Sequence, residues 1–154
     1  MGLSEFEYEQ LKPNIDLAVQ SLHILHHFPG FTYQRERGCG VWRGTLQPRS
    51  LSSKYRVAIS YKPCCYPKVR VVAPELLPSS PHLWKDKTLC LFYPKEQPWR
   101  QDMLIAQTIL PWTALWLYYY ELWLDVGKWL GPSSHTMDQK LQGGNVYSED
   151  IFLD

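Results

Sequence analysis

Four cysteines, at positions 39, 64, 65 and 90, and five histidines, at 23, 26, 27, 82 and 135, supply the groups of this chain suited to nucleophilic or metal chemistry near neutral pH. A cysteine acts as its thiolate, which attacks activated carbonyls or ligates metals. No two cysteines form a C-x-x-C pair, so neither a zinc knuckle nor a thioredoxin-type redox site is indicated. In a reducing compartment all four are expected as thiols. Adjacent Cys64 and Cys65 would close a disulfide only with strain; the expectation is packing at a strand end, with one of the two turned inward. His23, His26 and His27 share a helix face, a spacing open to a metal, but no fourth ligand is evident and a hydrated helix end is the simpler reading. Taken alone, Cys90 within Thr88-Leu89-Cys90-Leu91-Phe92 reads as a small core residue, and His82 beside Pro81 as a capping or solvent-facing loop histidine. Lys85, Lys87 and Lys95 lie near Cys90 in sequence and would favour its anion.

The elements that must position these groups follow from patterning. Ser4-Glu5-Phe6-Glu7 fits a capping box at a helix start, and Pro13 breaks or kinks that helix. Ile15, Ala18, Val19, Leu22 and Leu25 then recur at helical spacing, up to Phe28-Pro29-Gly30. Alternating segments follow at 31–33, 41–46 and 55–61, and a fourth strand at 69–72 lies beyond the proline-rich stretch 62–67; these read as antiparallel strands joined by turns. Residues 75–87 have no period and hold two prolines, so a long surface segment is expected. A helical pattern resumes at Asp102, and Pro111 opens a second helix whose expected apolar face is Trp112, Leu115, Trp116, Tyr119, Trp123 and Val126. The tail from Gly131 is expected to be loosely held. Leu141-Gln142-Gly143-Gly144 within it resembles the end of ubiquitin over only four residues, and is taken as tail; His135 has no place fixed by the sequence.

With 154 residues, 45% of them hydrophobic, the chain fits one domain over 1–154 and has no room for a second. A net charge of +1 argues against a protein built on nucleic-acid backbone contacts. The start has neither the basic and apolar segments of a secretion signal nor the Ser or Thr preferred for myristoylation. The most apolar stretch, 109–124, is short for a membrane span and contains Glu121. A cytoplasmic protein without membrane association, cofactor or bound metal is expected. The fold class is α+β, a sheet covered by helices.

The order of these features carries a likeness. Gly40-Val41-Trp42-Arg43-Gly44-Thr45-Leu46, then Tyr66-Pro67 leading into Val69-Arg70-Val71, then Ser80-Pro81-His82 eight residues before Cys90-Leu91, then Pro98-Trp99, resemble the active-site region of ubiquitin-conjugating enzymes. The resemblance covers roughly residues 1–130. It implies a UBC-like fold: an N-terminal helix, a four-stranded antiparallel meander, a long active-site loop and C-terminal helices. In that family a His-Pro-Asn triplet precedes the catalytic cysteine; here Ser80-Pro81-His82 replaces it, with His82 at the place of the Asn. The changed triplet and the tryptophan-rich helix are most similar to the stand-alone conjugating proteins of short type II CBASS antiphage operons.

The resemblance implies that Cys90 is the nucleophile that takes the C-terminal acyl group of a partner protein as a thioester, with a cGAS-like nucleotidyltransferase as donor. His82 then donates to the growing oxyanion as Asn would and, because imidazole titrates near neutral pH, also takes a proton from the acceptor amine. No glycine-rich phosphate loop is present to activate a carboxylate, so the donor must arrive activated. Two other readings of the same residues stand beside this one: a catalytically silent binding module that holds a partner through exposed aromatic rings, and a cysteine hydrolase in which Cys90 and His82 serve as nucleophile and base.

Overall fold

A computed structural model describes residues 14–96 and 98–132; the capping box at 4–7, Pro13, His135 and the segment 141–144 lie outside the described residues. Helix α1 (Leu17–His27) begins where the Asp16 side chain accepts a hydrogen bond from the Val19 amide at 2.9 Å, satisfying one of the donors a helix start leaves open. The face it buries is not the expected one. Gln20, Ser21 and Ile24 are inside, whereas Val19, Leu22 and Leu25 are 41%, 68% and 37% exposed. The reason is polar. Gln20 Nε2 donates to the Met103 carbonyl at 2.8 Å while its Oε1 accepts from the Ile105 amide at 2.9 Å, and Ser21 Oγ accepts from the buried Trp42 indole at 3.0 Å. Each buried polar atom meets a partner that would otherwise be orphaned.

Four strands follow: β1 (Thr32–Glu36), β2 (Cys39–Leu46), β3 (Tyr55–Tyr61) and β4 (Lys68–Ala73), paired antiparallel in the order β1-β2-β3-β4. The expected meander is thus present. Arg37 and Gly38, with φ of 51° and 80°, make the two-residue turn that joins β1 to β2, a turn whose backbone matches the twist of the strands. In β3 the alternation predicted from sequence is realised, with Tyr55, Val57, Ile59 and Tyr61 buried. Gly44 in β2 is required by packing, because a Cβ there would overlap the ring of Phe31. Cys64 and Cys65 correct the expectation of one inward thiol: both are exposed. Alternation ends at Tyr61, after which Cys65 closes a turn by donating its amide to Lys62 and Cys64 takes a φ of 73°.

The sheet is covered by α2 (Ile109–Val126), with Pro111 in its first turn as expected. The helical pattern from Asp102 amounts to one 3-10 turn, Ile105–Gln107, ahead of α2. Of the expected apolar face, Trp116 and Tyr119 are buried, Trp112, Leu115 and Trp123 are half-buried, and Val126 is exposed; the deeper stripe is Ile109, Leu110, Thr113, Leu117 and Tyr120. Apolar residues run nearly all round this helix, so the pattern alone does not select a stripe. Glu121, half-buried, accepts from Ser52 Oγ at 2.7 Å and Tyr55 Oη at 3.0 Å and ties α2 to the end of β2–β3. Burial, and then that carboxylate, push the Tyr55 hydroxyl well above the ordinary phenol range. Gly127, at φ 73°, caps α2 with its amide on the Trp123 carbonyl. Among the described residues no helix is long and apolar enough to cross a membrane.

Candidate active site

The segment between His82 and Cys90 is a tight hairpin. Cys90 N donates to His82 O at 2.9 Å, Leu83 bridges Leu89, and Trp84 N donates to Thr88 O at 2.9 Å, so residues whose numbers sum to 172 face each other. Directly opposed residues in an antiparallel ladder sit side by side, which is how an eight-residue separation becomes adjacency. Asp86 builds the turn: its carboxylate accepts from Thr88 N at 3.0 Å, Thr88 Oγ1 at 2.6 Å and Lys68 Nζ at 2.8 Å. The Lys68 ammonium and then the Thr88 donors hold the Asp86 carboxyl well below the usual carboxylate range. The hairpin is fixed to the outer side of β4, where Leu89 N donates to Val69 O at 2.9 Å and the Arg70 guanidinium donates to Asp86 O at 2.9 Å. It thereby also covers part of an edge strand.

His82 adopts a φ of 55°, a left-handed conformation that a residue with a Cβ holds only when its surroundings enforce it. They do so on both sides. Its carbonyl accepts from Cys90 N and, at 3.2 Å, from the Trp116 indole of α2, while its ring packs 4.9 Å from the ring of Trp129. Trp129 in turn lies against Trp116 and Tyr119. The histidine is therefore pinned between the hairpin, α2 and the chain that follows α2.

Cys90 is half-buried, its sulfur 3.8 Å from the Phe92 carbonyl. Burial raises the thiol above its ordinary value and a hydrogen bond from the Tyr93 hydroxyl opposes that rise. Lys85, Lys87 and Lys95 are not among the groups that shift it, which corrects the expectation that they favour the anion. The same Tyr93 hydroxyl lies 3.4 Å from His82 Nδ1. Tyr93 was not legible as a site residue; its only sequence signal is its place three residues after Cys90. Trp116, read from sequence as part of a helix's apolar face, and Trp129 are what hold His82.

Beside the cysteine runs an apolar groove of about 480 Å³, lined by Tyr66, Pro67, Trp84, Leu89, Leu91 and Phe92 among others. Tyr66 and Phe92 meet edge to face at 5.3 Å. The Tyr-Pro turn and the residues on either side of Cys90 therefore form one surface. Trp99, the other residue of the family likeness, is core: it is 2% exposed, its ring meets Tyr61 and its indole donates to Thr108 Oγ1 at 3.0 Å. His26 and His27 are exposed in the last turn of α1. No group of three or more potential ligands among the described residues is placed to hold a metal.

A helix, a four-stranded antiparallel meander, a loop that folds a cysteine against the last strand and a closing helix are the α+β architecture of the ubiquitin-conjugating fold. Within that class the chain belongs to the type II CBASS E2 proteins, a family whose model matches residues 20–136. No curated protein matches the chain. Its role is accordingly that of an E2-like conjugating protein of antiviral defence that works with other CBASS proteins.

Proposed function

We propose that Cys90 carries the C-terminal acyl group of a partner protein as a thioester and passes it to an acceptor amine, and that the donor is the cGAS-like nucleotidyltransferase of the same defence system. The observation that supports this is the pairing of Cys90 with His82 across the hairpin, with the His82 carbonyl held by Cys90 N and the Trp116 indole and its ring packed on Trp129 and 3.4 Å from the Tyr93 hydroxyl. A thioester needs a sulfur that can be reached, and Cys90 is half-buried rather than sealed in the core. An incoming C-terminal segment needs an apolar track near that sulfur, and Leu89 and Leu91, on either side of Cys90, line the groove. Aminolysis then places negative charge on the carbonyl oxygen and a proton on the attacking nitrogen. His82 serves the second need directly, and as a donor it serves the first. The proposed organisation is a single domain over residues 1–154 that carries this site, with 131–154 as its tail.

The test is adduct formation in cells that hold the protein together with its partner nucleotidyltransferase. A band of the combined mass that collapses on treatment with excess thiol is expected for the parent and absent from Cys90→Ala. Unchanged adduct in Cys90→Ala would remove the cysteine from the mechanism.

A further inference from the structure

We propose that Trp129 is a positioning residue for acyl transfer: the segment that leaves α2 lays its indole on the His82 imidazole, and Gly131 provides the space that lets it do so. This rests on the conjugating reading above and adds to it what keeps the imidazole in one orientation. Gly127, at φ 73°, ends α2 and turns the chain out of the helix. Two residues on, the Trp129 ring packs 5.4 Å from Trp116, 6.1 Å from Tyr119 and 4.9 Å from His82. Its Nε1 donates to the Pro132 carbonyl at 3.4 Å, across the bend at Gly131. Gly131, expected from sequence to begin a loosely held tail, is buried. A Cβ there would stand 2.6 Å from two atoms of the Tyr119 ring and 3.0 Å from Trp129 Nε1, so a side chain at this position must displace one ring or the other.

The backbone and the ring of His82 are held by different groups. Its carbonyl accepts from the Cys90 amide and the Trp116 indole, whereas Trp129 and the Tyr93 hydroxyl meet its ring. An unconfined histidine side chain has three staggered χ1 wells and a broad, roughly two-fold χ2, so one chosen orientation holds only about a sixth of the population. A base that must meet an acceptor amine over the acylated sulfur loses rate in proportion to the time its ring points elsewhere. The φ of 55° at His82 adds to this, because a left-handed residue relaxes when the contacts that enforce it are withdrawn. Packing from Trp129 therefore acts on the rate of transfer through the imidazole, without itself touching the reacting atoms.

The test uses the full chain carrying Cys39→Ser, Cys64→Ser and Cys65→Ser, so that Cys90 is the remaining thiol. Cys90 is acetylated with a small alkyl thioester, and discharge to free lysine is followed by intact mass against pH, well below the melting temperature of each variant. Trp129→Leu is expected to slow discharge about 5- to 50-fold and to flatten its rise across neutral pH, while Trp129→Phe, which keeps a ring, stays within about threefold of the parent. Gly131→Ala, which removes no group from the site, is expected to slow discharge by a similar factor. Because the indole acts through the imidazole, Trp129→Leu added to His82→Ala should change the remaining rate by less than about twofold. Discharge within about twofold of the parent in either Trp129→Leu or Gly131→Ala would overturn the proposal. So would an equal loss with and without His82, which marks general damage to the fold. Should Trp129→Leu fold poorly, Gly131→Ala with and without His82→Ala is read in the same way. The acetyl probe needs no partner protein, so a Trp129 effect seen here alongside no protein adduct at Cys90 would count against the conjugating reading alone.

Discussion

His82 occupies a left-handed backbone position that asparagine tolerates better than most residues, and the related conjugating enzymes carry asparagine at the matching place. The two residue types share a donor, whereas imidazole alone titrates near neutral pH. His82→Asn should therefore fold normally and keep oxyanion donation, lowering discharge of the acylated protein on the order of tenfold and flattening its rise across neutral pH. His82→Ala removes both functions and should lower it on the order of 10²- to 10³-fold; single-turnover discharge to lysine checks both, and a parent-like rate in His82→Ala would contradict the role given to the ring. Cys90 adds a pH prediction. Burial raises its thiol above the ordinary value, so at neutral pH it carries less thiolate than a free thiol. Alkylation of Cys90 by iodoacetamide, followed by peptide mass, should rise at higher pH than that of a free thiol such as cysteine in the same buffer, and a coincident pH profile would contradict this.

The strands were legible as elements because alternation, plainest in β3, is a local signal that the tertiary structure leaves intact. The buried face of α1 was not. Gln20 and Ser21 are polar by type and therefore read as outward, yet their partners lie more than 20 residues away in sequence, at Trp42, Met103 and Ile105. The hairpin 82–90 was hidden for a related reason: it has no alternating pattern, and its register is set by the Asp86 carboxylate and by Val69 rather than by apolar residues. The i, i+8 spacing was visible, but its meaning was not. Gln20→Ala tests the α1 account. It leaves the Met103 carbonyl and the Ile105 amide without partners in a buried place, which should cost about 3 kcal/mol and lower the melting temperature by roughly 10 °C. Thermal denaturation checks it, and a change below about 2 °C would mean that water replaces the side chain at little cost.

Across the whole molecule, the site draws on parts far apart in sequence: the edge of β4, the hairpin that covers it, the segment after Cys90, the Trp116 indole of α2 and the ring of Trp129. Large rings hold His82 in its left-handed backbone position and line the groove next to Cys90. The near-neutral charge is consistent with a protein partner recognised by shape and apolar contact rather than by a field. The most direct test is the intact mass of Cys90→Ser expressed with its operon neighbours, since an ester on serine survives purification better than a thioester. An added mass equal to the nucleotidyltransferase joined through its C-terminus, and absent from Cys90→Ala, is the result expected here. An unmodified mass, with the partner merely co-purifying, would contradict acyl transfer through Cys90 and leave a binding module in its place.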